Sequence, residues 1–148
     1  LASLQQGLPE INEHLSRKVQ LKNIEVSSYL AYGGDIVIQL DILLEKEIRN
    51  VDLHISLSNK SRQVVLRVYT KLTKSSFDLQ SGLNIIKADI GPNYMTKGLY
   101  TISIALLDQL TNEHLYWGNH IKQISVSGPS IESCACAPPI KVNVFEAV

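Results

Sequence analysis

Cysteine, tryptophan and methionine are scarce in this chain of 148 residues, which has two, one and one of them. Lysine plus arginine number 14, as do aspartate plus glutamate, so the net charge is zero. This balance argues against a basic nucleic-acid binder and against an acidic tail. No apolar stretch could span a bilayer and no signal peptide is visible. The remaining composition, with 45% hydrophobic and 19% charged residues, is typical of one globular domain.

The two cysteines, Cys134 and Cys136, are separated by one residue, which makes a poor structural disulfide and only half of a zinc site. We therefore expect a reduced thiol pair in a reducing compartment. Signatures of a hydrolase elbow, a P-loop or a zinc protease are also lacking. The sequence thus predicts no catalytic residue, no cofactor and no metal, since His54, His114 and His120 would need three loops to converge.

Apolar and polar side chains alternate with a period of two along most of the chain. The alternation is strictest at residues 51–58, where one face is apolar and the other carries Asp52, His54, Ser56 and Ser58. Further strands are predicted at residues 22–31, 35–44, 64–69, 83–90, 100–107 and 121–126. Because turn residues rather than helices separate these runs, they predict an all-β fold, a sandwich or a barrel.

The two ends of the chain differ from its middle. Residues 1–20 are predicted to be a partly helical linker, since Ile11, Leu15 and Val19 recur at a spacing of four. The β-sandwich is assigned to residues 21–127, a flexible linker to 128–139 and a C-terminal strand to 140–148. That strand needs a sheet edge in the same chain or in a neighbour, so exchange within a dimer is one alternative. Because the chain begins with Leu1, we expect a fragment or a processed product.

Several stretches, taken in order, resemble one known family. They are residues 33–38, which begin Gly-Gly-Asp; residues 48–57, which read Ile-Arg-Asn-Val-Asp-Leu-His-Ile-Ser-Leu; residues 64–70, which end Tyr-Thr; residues 97–106, which begin Lys-Gly-Leu-Tyr; and residues 124–126. This order resembles the carbohydrate-binding C-terminal domain of the ATP-binding subunit of bacterial O-antigen ABC exporters, the Wzt type.

The resemblance implies an immunoglobulin-like antiparallel β-sandwich that recognises a bacterial polysaccharide before export and carries out no catalysis. It also implies an upstream nucleotide-binding domain, a cytoplasmic location at the inner membrane, and a homodimer with exchanged terminal strands, for which residues 140–145 are the candidate segment. Two other functions stay open. One is a structural or adhesion module that binds protein, and the other is an accessory domain of a glycan-active enzyme.

Candidate sugar-binding residues follow from the chemistry of sugars, which have apolar C–H faces and polar rims. An aromatic ring stacks on the C–H face, and amides, imidazoles and hydroxyls bond to the rim. Tyr116 and Trp117, next to Asn119 and His120, supply both chemistries in a predicted loop. The equal alternative is that Trp117 fills one end of the sandwich core.

Outward-facing residues on neighbouring strands are predicted to complete a shallow groove. The groove is expected to be lined by His54, Ser56, Ser103 and Trp117, although the same short side chains would suit a dimer face. Arg67 and Tyr69 are predicted to share an outer face as a polar and aromatic pair, with a salt bridge of Arg67 as the alternative. For His54 the alternative is a solvated surface histidine. The predicted set of carbohydrate-binding residues is Trp117, Tyr116, His54, Ser56, Ser103, Asn119, His120, Arg67 and Tyr69.

Overall fold

The computed structural model describes residues 19–131 and 134–145 of the chain. Over these residues the chain forms nine β-strands and one 3₁₀ turn, Thr70–Thr73. The strands are β1 (Val19–Val26), β2 (Tyr29–Ala31), β3 (Asp35–Leu44), β4 (Ile48–Ser58), β5 (Val64–Tyr69), β6 (Phe77–Leu79), β7 (Gly82–Pro92), β8 (Gly98–Asp108) and β9 (His114–Ser127).

The strands form two stacked sheets, which confirms the all-β sandwich predicted from the sequence. The smaller sheet has the order β1-β3-β7, and the larger has the order β2-β9-β8-β4-β5, with β6 also pairing with β4. All pairs are antiparallel except that β2 pairs with β9 in parallel. The candidate site lies on the larger sheet, so the order β5-β4-β8-β9 decides which side chains become neighbours.

Apolar side chains at every second strand position build the core between the two sheets. Because successive side chains of a strand point to opposite faces, β3, β4 and β8 each turn one apolar row inward. Each fully buried aliphatic side chain contributes about 1.5–3 kcal/mol through removal from water. The most deeply buried include Ile36, Ile38, Leu40, Ile42, Ile55, Leu57, Ile102, Ile104 and Leu106.

The strand predicted at residues 22–31 is in fact two strands in different sheets. β1 begins at Val19 and pairs with β3, whereas β2 crosses to the larger sheet and pairs with β9. Val19 is only 1% exposed, so residues 19 and 20 belong to the sandwich rather than to a linker. The predicted helical segment otherwise falls on residues 1–18, which lie outside the described residues.

The segment predicted as a flexible linker, residues 128–139, is partly held against the sandwich. The backbone N–H groups of Lys97 and Thr96 donate to the carbonyls of Pro129 and Ala135, at 3.0 and 2.9 Å. Beneath this contact the Tyr100 hydroxyl donates to the carbonyl of Thr96 at 2.7 Å, the tyrosine corner of many β-sandwiches. Residues 140–145 form no strand within the single chain and are exposed, so their exchange stays a prediction.

The sandwich is open along one side, between β5 and β7. These are edge strands of the two sheets within the described residues, so no strand there covers the gap. A cavity of about 730 Å³ separates β7 from β5, the 3₁₀ turn and β6. As a result the inward-facing Ile86, Ala88 and Ile90 of β7 are only half-buried.

Candidate functional site

A row of side chains crosses four strands on the outer face of the larger sheet. The register places Tyr69 opposite His54, His54 opposite Ala105, and Ala105 opposite Trp117. The Tyr69 and His54 rings stack, with 4.8 Å between their centroids. Trp117 is 38% exposed and tilts towards the ring of His114, whose centroid is 5.9 Å away. Trp117 therefore faces outward, and the alternative that it fills the core is wrong.

The next row ends in an irregularity of β9. Arg67 lies opposite Ser56, and Ser56 lies opposite Ser103. On the other side of Ser103 the register shifts, since Ile102 pairs with Lys122 but Ile104 pairs with Gly118. Residues 119–121 of β9 thus lie opposite Ser103 alone. Such a bulge bends the strand and redirects its side chains, and bulges are frequent next to functional sites.

The bulge is held by two contacts of His120. Its backbone has φ 51°, a left-handed conformation that is uncommon for residues other than glycine. Its N–H donates to the Ser103 hydroxyl at 2.9 Å, and its ring Nδ1 lies 2.6 Å from the Thr101 hydroxyl. The imidazole of His120 is thereby held beside the small side chains of β8. The sequence predicted a loop here because the bulge interrupts the alternation that marks a strand.

Tyr116 does not belong to the outer face, which corrects its assignment as a sugar-binding residue. It is 3% exposed and packs in the core, because neighbouring strand residues point to opposite sides and Trp117 points outward. Burial raises the pKa of its hydroxyl, which has no hydrogen-bond partner among the described residues. Tyr116 and Trp117 were predicted to bind sugar together only because a loop was expected there.

Gly118 is required by the packing of the bulge, and we expect Gly118→Ala to destabilise the fold. A Cβ at this position would lie 2.6 Å from the Tyr116 hydroxyl oxygen and 2.7 Å from Cγ2 of Ile121. Overpacking of this kind costs about 1–3 kcal/mol of unfolding free energy, measurable by urea denaturation. Gly98→Ala is the matched control, since its Cβ would make ordinary contacts of 3.7 Å or more. Equal stability of the two variants would contradict this packing.

The two rows and the bulge enclose a shallow depression of about 290 Å³. The small side chains of β8 form part of its lining, and Ser103 and Ala105 are each 8% exposed. Tyr69 does not line the depression and instead stacks against the side of His54. The lining residues are His54, Ser56, Ser58, Arg62, Val64, Arg67, Ser103, Ile104, Ala105, His114, Trp117, Asn119 and His120.

Seven of the nine predicted binding residues therefore come together in one place, and whether they bind sugar stays a prediction. Sequence reasoning missed Arg62 and His114, which belong to the turn after β4 and to the start of β9. The side-chain oxygen of Asn59 accepts from the N–H groups of Ser61 and Gln63 at 3.0 and 2.9 Å, and this bonding shapes the turn that carries Arg62. The Asn-Lys-Ser-Arg run was a turn signal, but it did not reveal the face to which Arg62 points.

Two imidazoles of the depression are shifted towards the neutral form. The pKa of His54 lies below its ordinary value, chiefly because burial disfavours the charged ring, with further lowering by Arg67 and His114. The pKa of His120 is also lowered, first by burial and then by Arg62. At neutral pH each ring is expected to carry one donor and one acceptor nitrogen, which suits sugar hydroxyls. The Nε2 atom of His54 is buried without a hydrogen-bond partner among the described residues.

We expect His54 and His120 to titrate below the ordinary histidine pKa of 6.5 in an NMR titration of their ring protons. Between the folded-state pKa values and 6.5, the unfolded chain binds more protons than the folded one. The unfolding free energy should therefore decrease as pH falls from about 6.5 towards the folded-state pKa values. His54→Gln and His120→Gln assign the two resonances. A midpoint of 6.5 or higher for His54 would contradict the burial described above.

Three histidines, His54, His114 and His120, line the same depression. Within residues 19–131 and 134–145, however, no three histidine, cysteine or acidic side chains are placed to hold a metal ion. A membrane-spanning helix is likewise not found in that part of the chain. The side chains that line the depression can stack, form hydrogen bonds and supply positive charge.

Comparisons with known proteins give structural matches only. No protein-family model matches the sequence, and no curated protein matches it. The crystal structure of the C-terminal domain of Wzt is similar, with a TM-score of 0.74, 10% sequence identity, and coverage of 86% of this chain and 84% of that one.

A second similar structure is a Niemann-Pick type C2 protein from the Japanese carpenter ant. Its TM-score is 0.54 at 11% identity, and the match covers 76% of this chain and 95% of that one. Both identities are too low to carry a function across, so they bear on the fold alone. The resemblance noted in the sequence is confirmed at that level: this chain has the β-sandwich fold of the C-terminal domain of Wzt.

Proposed function

We propose that this chain is a non-catalytic domain that binds a bacterial polysaccharide for an O-antigen-type ABC exporter. The observation that carries the proposal is the depression on the outer sheet face, where exposed Trp117 shares the lining with three imidazoles and several hydroxyls. The fold shared with the Wzt domain supports the exporter context. An enzyme is disfavoured because the lining residues include no carboxylate pair and no nucleophile with a base and an orienting acid.

Binding would combine stacking with hydrogen bonds along an extended ligand. A sugar ring would place its C–H face on the indole of Trp117, and its hydroxyls would meet Ser56, Asn119 and the neutral ring of His54. The floor made by Ser103 and Ala105 leaves room for a chain that crosses the strands. Affinity would be modest, because polar sugar groups lose water on binding and regain only part of its hydrogen bonding.

Fluorescence titration tests the proposal directly, because Trp117 is the only tryptophan in the chain. Bacterial O-polysaccharides are added to the protein and the indole emission is followed. We expect saturable quenching or a spectral shift with at least one of these polymers. We expect neither change when the same polymers are added to an equal concentration of an unrelated protein. A flat response across the polysaccharides, together with no retention on immobilised glycan, would overturn the proposal.

We further propose, from the exporter context, that a nucleotide-binding domain precedes this domain in the parent chain and that the protein lies on the cytoplasmic side of the inner membrane. Export energy would then come from ATP hydrolysis in that domain, while the sandwich selects the polymer. Determining the residues that precede this sequence in the parent polypeptide tests this part. A hydrolase domain in that position would favour an accessory domain of a glycan-active enzyme instead.

We also propose that the chain forms a homodimer by exchange of residues 140–145. Their apolar side chains are largely in solvent, with Ile140 84%, Val142 72% and Val144 88% exposed. Such exposure is costly for a single chain, and period-two alternation suits a strand that turns one apolar face inward. The gap beside β7 offers a matching place in a second copy, since its edge is unpaired there within the described residues and apolar side chains line the cavity.

A further inference from the structure

Basic side chains without acidic neighbours are concentrated at the depression, although the net charge of the whole chain is zero. Two guanidinium groups, those of Arg62 and Arg67, and three imidazoles are among its lining residues. Among residues 19–131 and 134–145, none that lines the depression carries a carboxylate. Because the whole sequence has 14 basic and 14 acidic side chains, this local excess does not follow from composition.

Neither arginine is paired with an acidic side chain among the residues that the structure describes. In the described part of the chain neither guanidinium lies within 4.0 Å of a carboxylate, so the salt bridge considered for Arg67 is not found there. Both side chains are exposed. Asp52 belongs to the same strand face as His54, but it is 1% exposed and accepts a hydrogen bond from the Thr70 hydroxyl at 3.1 Å. It therefore does not face the depression as a counter-charge.

The positions of these charges determine how long the ligand must be and which chemical groups it must carry. Arg67 lies on β5 and Trp117 on β9, with β4 and β8 between them. Three interstrand steps of about 4.8 Å separate the two strands by roughly 14 Å, which is more than one sugar ring covers. A guanidinium binds carboxylate or phosphate through two parallel N–H···O bonds, an arrangement that a sugar hydroxyl cannot offer.

We propose that this site takes an acidic glycan, with one sugar ring stacked on Trp117 and a carboxylate or phosphate of the same chain bound by Arg62 and Arg67. This inference rests on the proposed function, since it names the class of polysaccharide. The neutral rings of His54 and His120 would bond to hydroxyls between these two ends. A bound anion would offset the positive charge of the guanidiniums, which disfavours protonation of these rings, so binding should raise the two histidine pKa values.

An array of immobilised bacterial polysaccharides tests the inference, with uronic-acid-containing, phosphate-substituted and neutral members. We expect retention of acidic members, weakened as salt rises from about 50 to 200 mM because exposed charges become screened. Carbodiimide-mediated reduction of carboxyl groups, or removal of phosphate, identifies which anion is bound. Equal retention of neutral members would overturn the inference and leave the proposed function standing. No retention of any class would overturn both.

Charge-removing variants give the second arm. Arg62→Gln and Arg67→Gln are each expected to weaken binding of the retained acidic polysaccharide by about tenfold to hundredfold, as loss of a charge-assisted hydrogen bond does. Arg49→Gln is the matched control, because Arg49 is exposed, pairs with Glu47 at 3.1 Å and does not line the depression. If the three variants bind alike, the arginines of the depression do not hold the anion.

Discussion

Replacing Trp117 with alanine is expected to weaken polysaccharide binding by about thirtyfold, which corresponds to about 2 kcal/mol for a central aromatic contact. The indole is the largest apolar side chain among the residues that line the depression, and most of the others carry hydroxyls, imidazoles, an amide or guanidiniums. Without it, a bound sugar would lose its stacking partner while its polar groups would still lose water. Calorimetric titration of wild type and variant with the same polysaccharide measures the change.

A fold control separates this loss from destabilisation. Trp117 is 38% exposed, so the variant should unfold close to the wild-type temperature. Tyr29→Ala is the matched substitution, because Tyr29 is also an exposed aromatic residue of the larger sheet but does not line the depression. Unchanged affinity of Trp117→Ala, or an equal loss in Tyr29→Ala, would place the binding site elsewhere.

Removing residues 140–148 is expected to convert the proposed homodimer into a monomer. The exchanged strand would supply backbone hydrogen bonds to β7 and bury Ile140, Val142 and Val144 in the cleft of the other copy. Without that segment, no strand of one copy would fill the cleft of about 730 Å³ in the other copy, and the contact that joins the two copies would be lost. Light scattering after size-exclusion chromatography measures the mass of the full and shortened chains at matched concentration.

Two point variants with the same added charge sharpen this test. Val142→Asp places a carboxylate on the apolar face of the segment, whereas Asn143→Asp places it on the opposite face. The first should dissociate the dimer and the second should leave it intact, since only one face would be buried. If the full chain has the mass of a monomer, strand exchange is excluded. If the two variants have equal masses, the face that carries Val142 is not the one buried in the dimer.

The strands were largely predictable because their alternation is a local property. Residues 35–44 and 64–69 are strands with the predicted bounds, and β4, β7 and β8 extend the predicted runs by a few residues at their ends. The prediction was wrong at residues 22–31, where the chain leaves one sheet after Val26, bends at Ser28 and enters the other sheet at Tyr29. A change of the sheet to which the chain pairs does not alter the alternation of apolar and polar residues, because side chains alternate with a period of two in either sheet.

The candidate site was predictable in part for the same reason. The side chains of His54, Ser56 and Ser103 could be assigned to one face from alternation alone, and the structure brings them together. Tyr116 was assigned wrongly because its direction depends on whether residues 114–120 are strand or loop. That choice depends on the bulge, which is stabilised by bonds from His120 to Thr101 and Ser103 on another strand.

Sequence by itself determined the class of this protein: strands with one apolar face and no helices between them, no catalytic motif, and one tryptophan near polar residues. These properties depend on composition and on spacing between near neighbours, which a single chain displays directly. Tertiary structure alone decided the order of the strands, the outward direction of Trp117 and the meeting of Arg62 with Arg67 at one depression. Those contacts join residues far apart in the chain, and their geometry depends on packing of the whole core rather than on any local pattern.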